Sequence, residues 1–190
     1  MCGNMGGGSG GGSGKSSTNY NSNGDYIKKI DTEQLVSDVG TLPAMQGSEK
    51  QIQWAESIRN EVFDKIDKAV LDEPNRYNSM IDRRTAAIER GEDISSWGKI
   101  TEDNYKNAKA KAEQLVPAAD LAKKSYAEFF KEQTNAGNII DMRRILPGGE
   151  SMVKAFSDRM EKQKASGKNL TVEDGVQYIK RKLSRDGYKL

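Results

Sequence analysis

The sequence predicts an all-α protein, an irregular multi-helix bundle behind a disordered Gly/Ser-rich N-terminal tail. After residue 47, apolar residues recur every three or four positions, which is the spacing of one face of a helix. Eight of the 19 glycines fall in the first 14 residues, a composition that buries too little apolar surface to fold. No segment alternates for long in the manner of a strand; at most residues 25–30 form a short one. We therefore divide the chain into a disordered tail (1–23), an irregular lead-in (24–46) and a helical domain (47–190).

The first long helix begins at a capping box formed by Ser48 and Gln51. Its apolar row predicts about six turns, ending at Pro74, because proline disrupts a helix interior. A second, weaker row then extends to Gly91. The two rows contain Ile52, Ala55, Ile58, Val62, Ile66 and Ala69, followed by Tyr77, Met80, Ile81, Arg84 and Ile88.

The remaining helices are bounded by caps, prolines and glycines. Thr101 caps a third helix, and Pro117 either kinks it or occupies the first turn of a new one. Gly137 interrupts the helical period, and a short helix over 139–145 precedes the turn at residues 146–149. A helix around 152–160 and a last helix after Thr171 complete the predicted bundle.

The residue types exclude several kinds of chemistry. The chain has no His and one Cys, which rules out imidazole catalysis, an internal disulfide and a multi-thiolate zinc site. Gly14-Lys15-Ser16 has the letters of a Walker loop, but the required glycine five positions earlier is Ser9. Paired carboxylates lie near predicted helix boundaries, where they favour the helix dipole. We predict a protein that is not an enzyme and has no cofactor and no metal site.

Positive charge is concentrated in the second half of the chain. Residues 101–190 carry 18 basic and 13 acidic side chains, although the whole chain has a net charge of only +2. This asymmetry indicates an anionic partner or a solvated helical surface. Two clusters provide candidate binding residues: Arg143 and Arg144 beside the predicted turn, and Lys180, Arg181, Lys182, Arg185 and Lys189 on or after the last helix.

The most distinctive segment covers residues 42–59, LPAMQGSEKQIQWAESIR. It resembles a short helical element found in many small proteins of bacteriophages and mobile elements, most of which have no assigned activity. Helix geometry places Ile52, Ala55 and Ile58 of this segment on the buried face and lets Trp54 cover the rim of a groove, while Lys50 and Arg59 lie on the polar side. Lys50, Trp54 and Arg59 therefore join the candidate binding residues.

Three functions fit these features. The first is a small non-enzymatic phage or mobile-element accessory protein that binds nucleic acid or a nucleic-acid-handling complex. The second is a virion structural or assembly protein, and the third is an inhibitor of a host defence system that binds a host protein. An enzyme of an unrecognised type is the least favoured alternative, and the oligomeric state is left open.

The location of the protein is predicted from what the chain lacks. No apolar run approaches the ~18–20 residues that a membrane span needs, and the first 14 residues contain no apolar core of a secretory signal. We expect no membrane contact. The predicted location is the cytoplasm of the host cell, or the virion under the second function.

The first predicted helix leads to a stability test. Replacing Ile58 by Ala removes a core side chain and should lower the free energy of unfolding by about 2–4 kcal/mol in urea titrations. Ser48→Ala should cost about 1 kcal/mol through the lost cap. A cost below about 0.5 kcal/mol for Ile58→Ala, as is usual at surfaces, would place this row in solvent.

Overall fold

The regular structure of this protein is helical. The computed structural model describes residues 19–164 and 166–188, and the all-α prediction is confirmed in these ranges, where isolated bridges occur but no strand. The elements described are a 3-10 turn at Glu33–Leu35 and the helices α1 (Glu49–Glu89), α2 (Glu102–Glu132), α3 (Ala136–Met142), α4 (Gly149–Lys164) and α5 (Val172–Arg185).

The predicted N-terminal tail overlaps the described chain only at residues 19–23, and residues 1–18 lie outside it. Tyr20 forms an isolated antiparallel bridge with Tyr26, and their rings meet edge to face at 5.2 Å. The amide of Gly24 donates to the carbonyl of Asn21, which closes a turn. Residues 19–23 are therefore bonded to residues 24–27, although the sequence assigns them to the tail and most of them are exposed. The short strand considered at 25–30 is reduced to this bridge.

α1 is one helix of 41 residues, so the prediction that it ends at Pro74 is wrong. Pro74 is itself buried, in one row with Val70, Tyr77 and Ile81. Packing along this continuous row compensates for the hydrogen bond that the proline cannot donate. The predicted capping box is present at the start of α1, where Ser48 and Gln51 bond to each other's backbone.

α2 lies antiparallel to α1 and also continues through its proline. Phe63 meets Phe130 with ring centroids 6.0 Å apart, and Tyr77 meets Tyr105 at 5.9 Å, so the pairing runs in opposite directions. Pro117 and Glu113 are both exposed, so water can hydrate the carbonyl that Pro117 leaves without its helical donor. Pro117 therefore does not begin a new helix, which is one of the two predicted alternatives.

The two C-terminal helices pack on this pair through glycines. Gly149, at the start of α4, lies so close to α1 that an added Cβ would be 2.6 Å from the Val62 carbonyl oxygen. Gly175 in α5 lies against α2, where an added Cβ would be 1.9 Å from Ser125 Oγ. The phenol of Tyr126 donates to the carbonyl of Pro147 and so ties the turn before α4 to α2.

The lead-in over residues 24–46, which we call the strap, crosses α1 and α2 in an irregular path. Its apolar side chains Tyr26, Ile30, Leu35 and Met45 are buried. Backbone groups in such a segment need partners other than a ladder. Asn78 of α1 accepts from the Ile30 amide and donates to the Ile30 carbonyl, both at 2.9 Å.

A buried ion pair fixes the start of the strap. Arg84 Nε of α1 donates to Asp25 Oδ2 at 2.6 Å, and both side chains are almost fully buried. Asp25 also accepts from the Ile100 amide and from the side chain of Asn21. Burial raises the pKa of Asp25, but these hydrogen bonds and the charge of Arg84 together outweigh it, so the net pKa is lowered.

The close approach of α4 to α1 gives a stability prediction with a neighbouring control. Gly149→Ala should lower the free energy of unfolding by about 1–3 kcal/mol or more, because the new Cβ would overlap the α1 backbone. Gly148→Ala should be nearly neutral, since its nearest atom, Ser151 Oγ, would be 3.6 Å away. Equal urea midpoints for the two variants would contradict the contact.

The Asp25–Arg84 pair predicts a pH dependence of stability. Because the folded pKa of Asp25 is below 3.8, the carboxylate contributes stability that is full above that pH and is lost as the pH falls through the folded pKa. Asp25→Asn should cost about 3–5 kcal/mol at neutral pH, since it leaves Arg84 buried without a counter-charge. It should also flatten the loss of stability below about pH 4.

The control for this pH prediction is Asp82→Asn, which removes a carboxylate from an exposed pair with Lys29. This change should alter stability by less than about 1 kcal/mol. Urea unfolding across the acid range measures both variants. If Asp25→Asn and the unmodified protein lose stability in parallel as the pH falls, Asp25 is not the group that titrates.

Candidate nucleic-acid interface

Four cationic side chains surround one tyrosine between α4 and α5, and we call this surface the basic cleft. It is shallow, with a volume of about 230 Å³. On α5, three of the cations follow the tyrosine at three, four and seven residues, so all four side chains share one helix face. The cleft is lined by Arg159 of α4 and by Tyr178, Arg181, Lys182 and Arg185 of α5.

The packing of α5 places its basic face at the surface. Thr171 and Asp174 form a capping box at its N-terminus. The opposite face carries Val176, Ile179 and Leu183, all of which are buried. Because these three residues fix the rotation of α5 about its axis, the basic row is held at the surface beside α4.

Few carboxylates neutralise the basic cleft. Within residues 19–164 and 166–188, no carboxylate oxygen lies within 4.0 Å of a charged nitrogen of Arg159, Arg181 or Lys182, whereas Arg185 is 3.7 Å from Asp186. Arg159 instead lies over the Tyr178 ring, 5.9 Å from its centroid. The cleft therefore presents three cations without a close ion-pair partner in the described chain.

The positive charge of the basic cleft also acts on Asp174 in the first turn of α5. The pKa of Asp174 is lowered chiefly by hydrogen bonds from the backbone and side chain of Thr171, and further by the charges of Arg159 and Arg181. Asp174 is committed to the helix cap, so its carboxylate remains at the N-terminus of α5 and does not enter the basic row.

Two residues of the predicted C-terminal cluster do not join the cleft. Lys180 Nζ lies 2.7 Å from Glu132 Oε2 at the end of α2, which places its ammonium on another side of α5. Lys189 lies outside the described residues. The structure thus brings Arg181, Lys182 and Arg185 together and separates Lys180 from them.

A second surface, which we call the Trp54 groove, lies where α1 meets the turn before α4. Trp54 is 49% exposed, and the guanidinium of Arg143 lies over its ring at 5.0 Å. Arg144 also lines the groove and is exposed. The groove has a volume of about 290 Å³ and is completed by Ser57, Ile58, Glu61, Val62, Lys65 and residues 146–149.

Arg59 does not lie on the polar side of α1, and this part of the sequence prediction is wrong. Its side chain is 3% exposed and donates to the backbone carbonyls of Pro43, Phe130 and Gln133. Burial lowers its pKa. The residue ties the strap to the end of α2 and is not available to a partner. Lys50 is exposed but does not line the Trp54 groove.

Arg159 is the residue of the basic cleft that the sequence does not single out. Its signal is indirect: it follows the buried Phe156 by one helical turn, and Phe156 contacts the Tyr178 ring at 5.8 Å. Placing Arg159 in the cleft requires the pairing of α4 with α5, which no local pattern specifies.

Comparisons with known proteins give no assignment. No family model matches the chain, and searches of curated proteins and of solved structures find no significant similarity. In the part of the chain that the structure describes, no three Cys, Asp or Glu side chains are grouped to hold a metal ion. None of the described helices is both long and apolar enough to cross a membrane. Function is therefore inferred from side-chain geometry.

Proposed function

We propose that this protein is a small non-enzymatic accessory protein, of the phage or mobile-element kind, that binds nucleic acid through the basic cleft. The observation that carries the proposal is a set of three cations that have no close carboxylate among the residues that the structure describes: Arg159, Arg181 and Lys182. Phosphate groups of a nucleic acid are the polyanionic partner that such a row fits best.

The distribution of ion pairs supports the same proposal. On α2 the lysines Lys106, Lys109 and Lys131 each pair with a glutamate one helical turn away, at 2.6–3.0 Å. Those cations are largely neutralised within their own helix. The cleft cations differ from these lysines in pairing, and they lie on two neighbouring helices around one tyrosine.

The proposal is tested by the salt dependence of binding. Fluorescence anisotropy with a labelled oligonucleotide, single-stranded or duplex, should give an affinity that falls steeply with salt, because phosphate contacts release counterions. Changing Arg159, Arg181 and Lys182 together to Gln should reduce the slope of log K against log salt by about two to three units, roughly one for each lost contact.

A charge-matched variant distinguishes the cleft from net charge. Lys106, Lys109 and Lys131 changed together to Gln remove the same three charges from α2 and should leave the salt slope nearly unchanged. Urea midpoints verify that both triple variants fold. If the unmodified protein binds neither oligonucleotide at low salt, the proposal is wrong, and a protein partner, as in a virion component or a defence inhibitor, becomes the better explanation.

A further inference from the structure

The Trp54 groove shares no residue with the basic cleft, yet it has the features of a second contact with the same kind of ligand. Its floor contains the apolar residues Ile58 and Val62 of α1 and Leu146 of the turn before α4. Its rim has a net positive charge, because the lining includes three cations, Arg143, Arg144 and Lys65, and one carboxylate, Glu61. A ligand that has a planar apolar part and an anionic part would complement both the floor and the rim.

The two arginines of the rim are available to an anion. Lys65 is paired with Glu61 at 2.6 Å, but in the described ranges no carboxylate oxygen lies within 4.0 Å of Arg143 or Arg144. Arg143 donates one hydrogen bond to the carbonyl of Ile140, and its guanidinium otherwise rests on the indole of Trp54. Both arginines are exposed at the mouth of the groove.

Trp54 supplies the flat surface. About half of the side chain is exposed, although burying an indole is strongly favourable. The guanidinium of Arg143 already lies over the Trp54 ring. A further planar group can stack on this pair. A nucleotide joins a planar base and an anionic phosphate through one sugar, so both groups lie within reach of a single small groove.

We infer that the Trp54 groove binds an unpaired nucleobase on the indole of Trp54, with the adjoining phosphate on Arg143 and Arg144, so that the nucleic-acid partner is single-stranded. In a duplex the base faces are covered by their neighbours, and a groove on the protein surface cannot reach them without unstacking. This inference rests on the proposed function and adds the class of nucleic acid to it.

The chain offers a direct optical test, because it has two tryptophans. Trp97→Phe leaves Trp54 as the only tryptophan; Trp97 lies in the loop between α1 and α2 and does not line the groove. Titration of this variant with a short oligothymidylate should change the Trp54 emission as a base stacks on the ring. A blunt duplex of the same number of phosphates should change it much less.

Affinity measurements complete the test. Trp54→Ala should weaken binding of the oligothymidylate about 5- to 150-fold, the range expected for one stacked base, and should leave duplex binding nearly unchanged. Trp54→Phe should restore most of the loss, since a phenyl ring still stacks. Trp97→Ala, which removes the other exposed indole, is the matched control and should have no effect.

The outcomes separate the inference from the proposed function. If neither oligonucleotide binds the unmodified protein, the proposed function fails and the inference fails with it. If both bind equally and the Trp54 emission does not change, the basic cleft remains a nucleic-acid site and the inference alone is overturned. If Trp54→Ala lowers the thermal midpoint, the emission change and the Trp54→Phe variant decide the matter.

Discussion

The structure depends on the hydrogen bonds and the ion pair that long polar side chains of α1 and α2 make with the irregular, partly buried strap. Residues 24–46 make no ladder, so their backbone groups and Asp25 need donors and acceptors from elsewhere. Arg84, Asn78 and Arg59 of α1 supply several of them, and Lys123 of α2 adds the partner of the Ser37 carbonyl. The strap in turn covers the apolar seam between α1 and α2. Each buried cation is tolerated because it is paired or hydrogen-bonded, which is the condition for burying charge.

The same helix positions both candidate surfaces. α4 begins at Gly149, which is locked against the α1 backbone and borders the Trp54 groove. Nearly three turns later, α4 presents Arg159 to the basic cleft. Any shift of α4 would alter the groove and the cleft together, because Phe156 on its buried face contacts the Tyr178 ring. The two surfaces are therefore linked through α4, which makes a glycine contact with α1 at one end and an aromatic contact with α5 at the other.

The sequence predicts the helices because their apolar rows and caps are local signals. The predicted capping box at Ser48 and the predicted cap at Thr101 are both present, and Thr171 also forms a capping box. It fails where a residue's role depends on a distant partner. Pro74 is kept within α1 by tertiary packing, and Arg59 is drawn inward by three carbonyls, two of which lie more than 70 positions away. In the basic cleft, the shared outer face of Arg181, Lys182 and Arg185 can be predicted from their spacing along α5. The position of Arg159 cannot, because its neighbours in the cleft belong to another helix.

The cations of α5 and Arg159 of α4 differ in how their positions affect the stability of their helices. Lys182 and Arg185 lie in the last turn of α5, and Glu173 and Asp174 lie in its first turn, an arrangement that suits the helix dipole whether or not anything binds. The row on α5 alone is thus explained by stability. Arg159 is different, because it precedes the last turn of α4, where Lys162 and Lys164 already occupy the favourable positions. Arg159 instead lies over the Tyr178 ring, and its charge helps to lower the pKa of Asp174, so its position is set by contacts across the α4–α5 pairing. These contacts bring the guanidinium of Arg159 next to the α5 cations and so concentrate positive charge in the basic cleft.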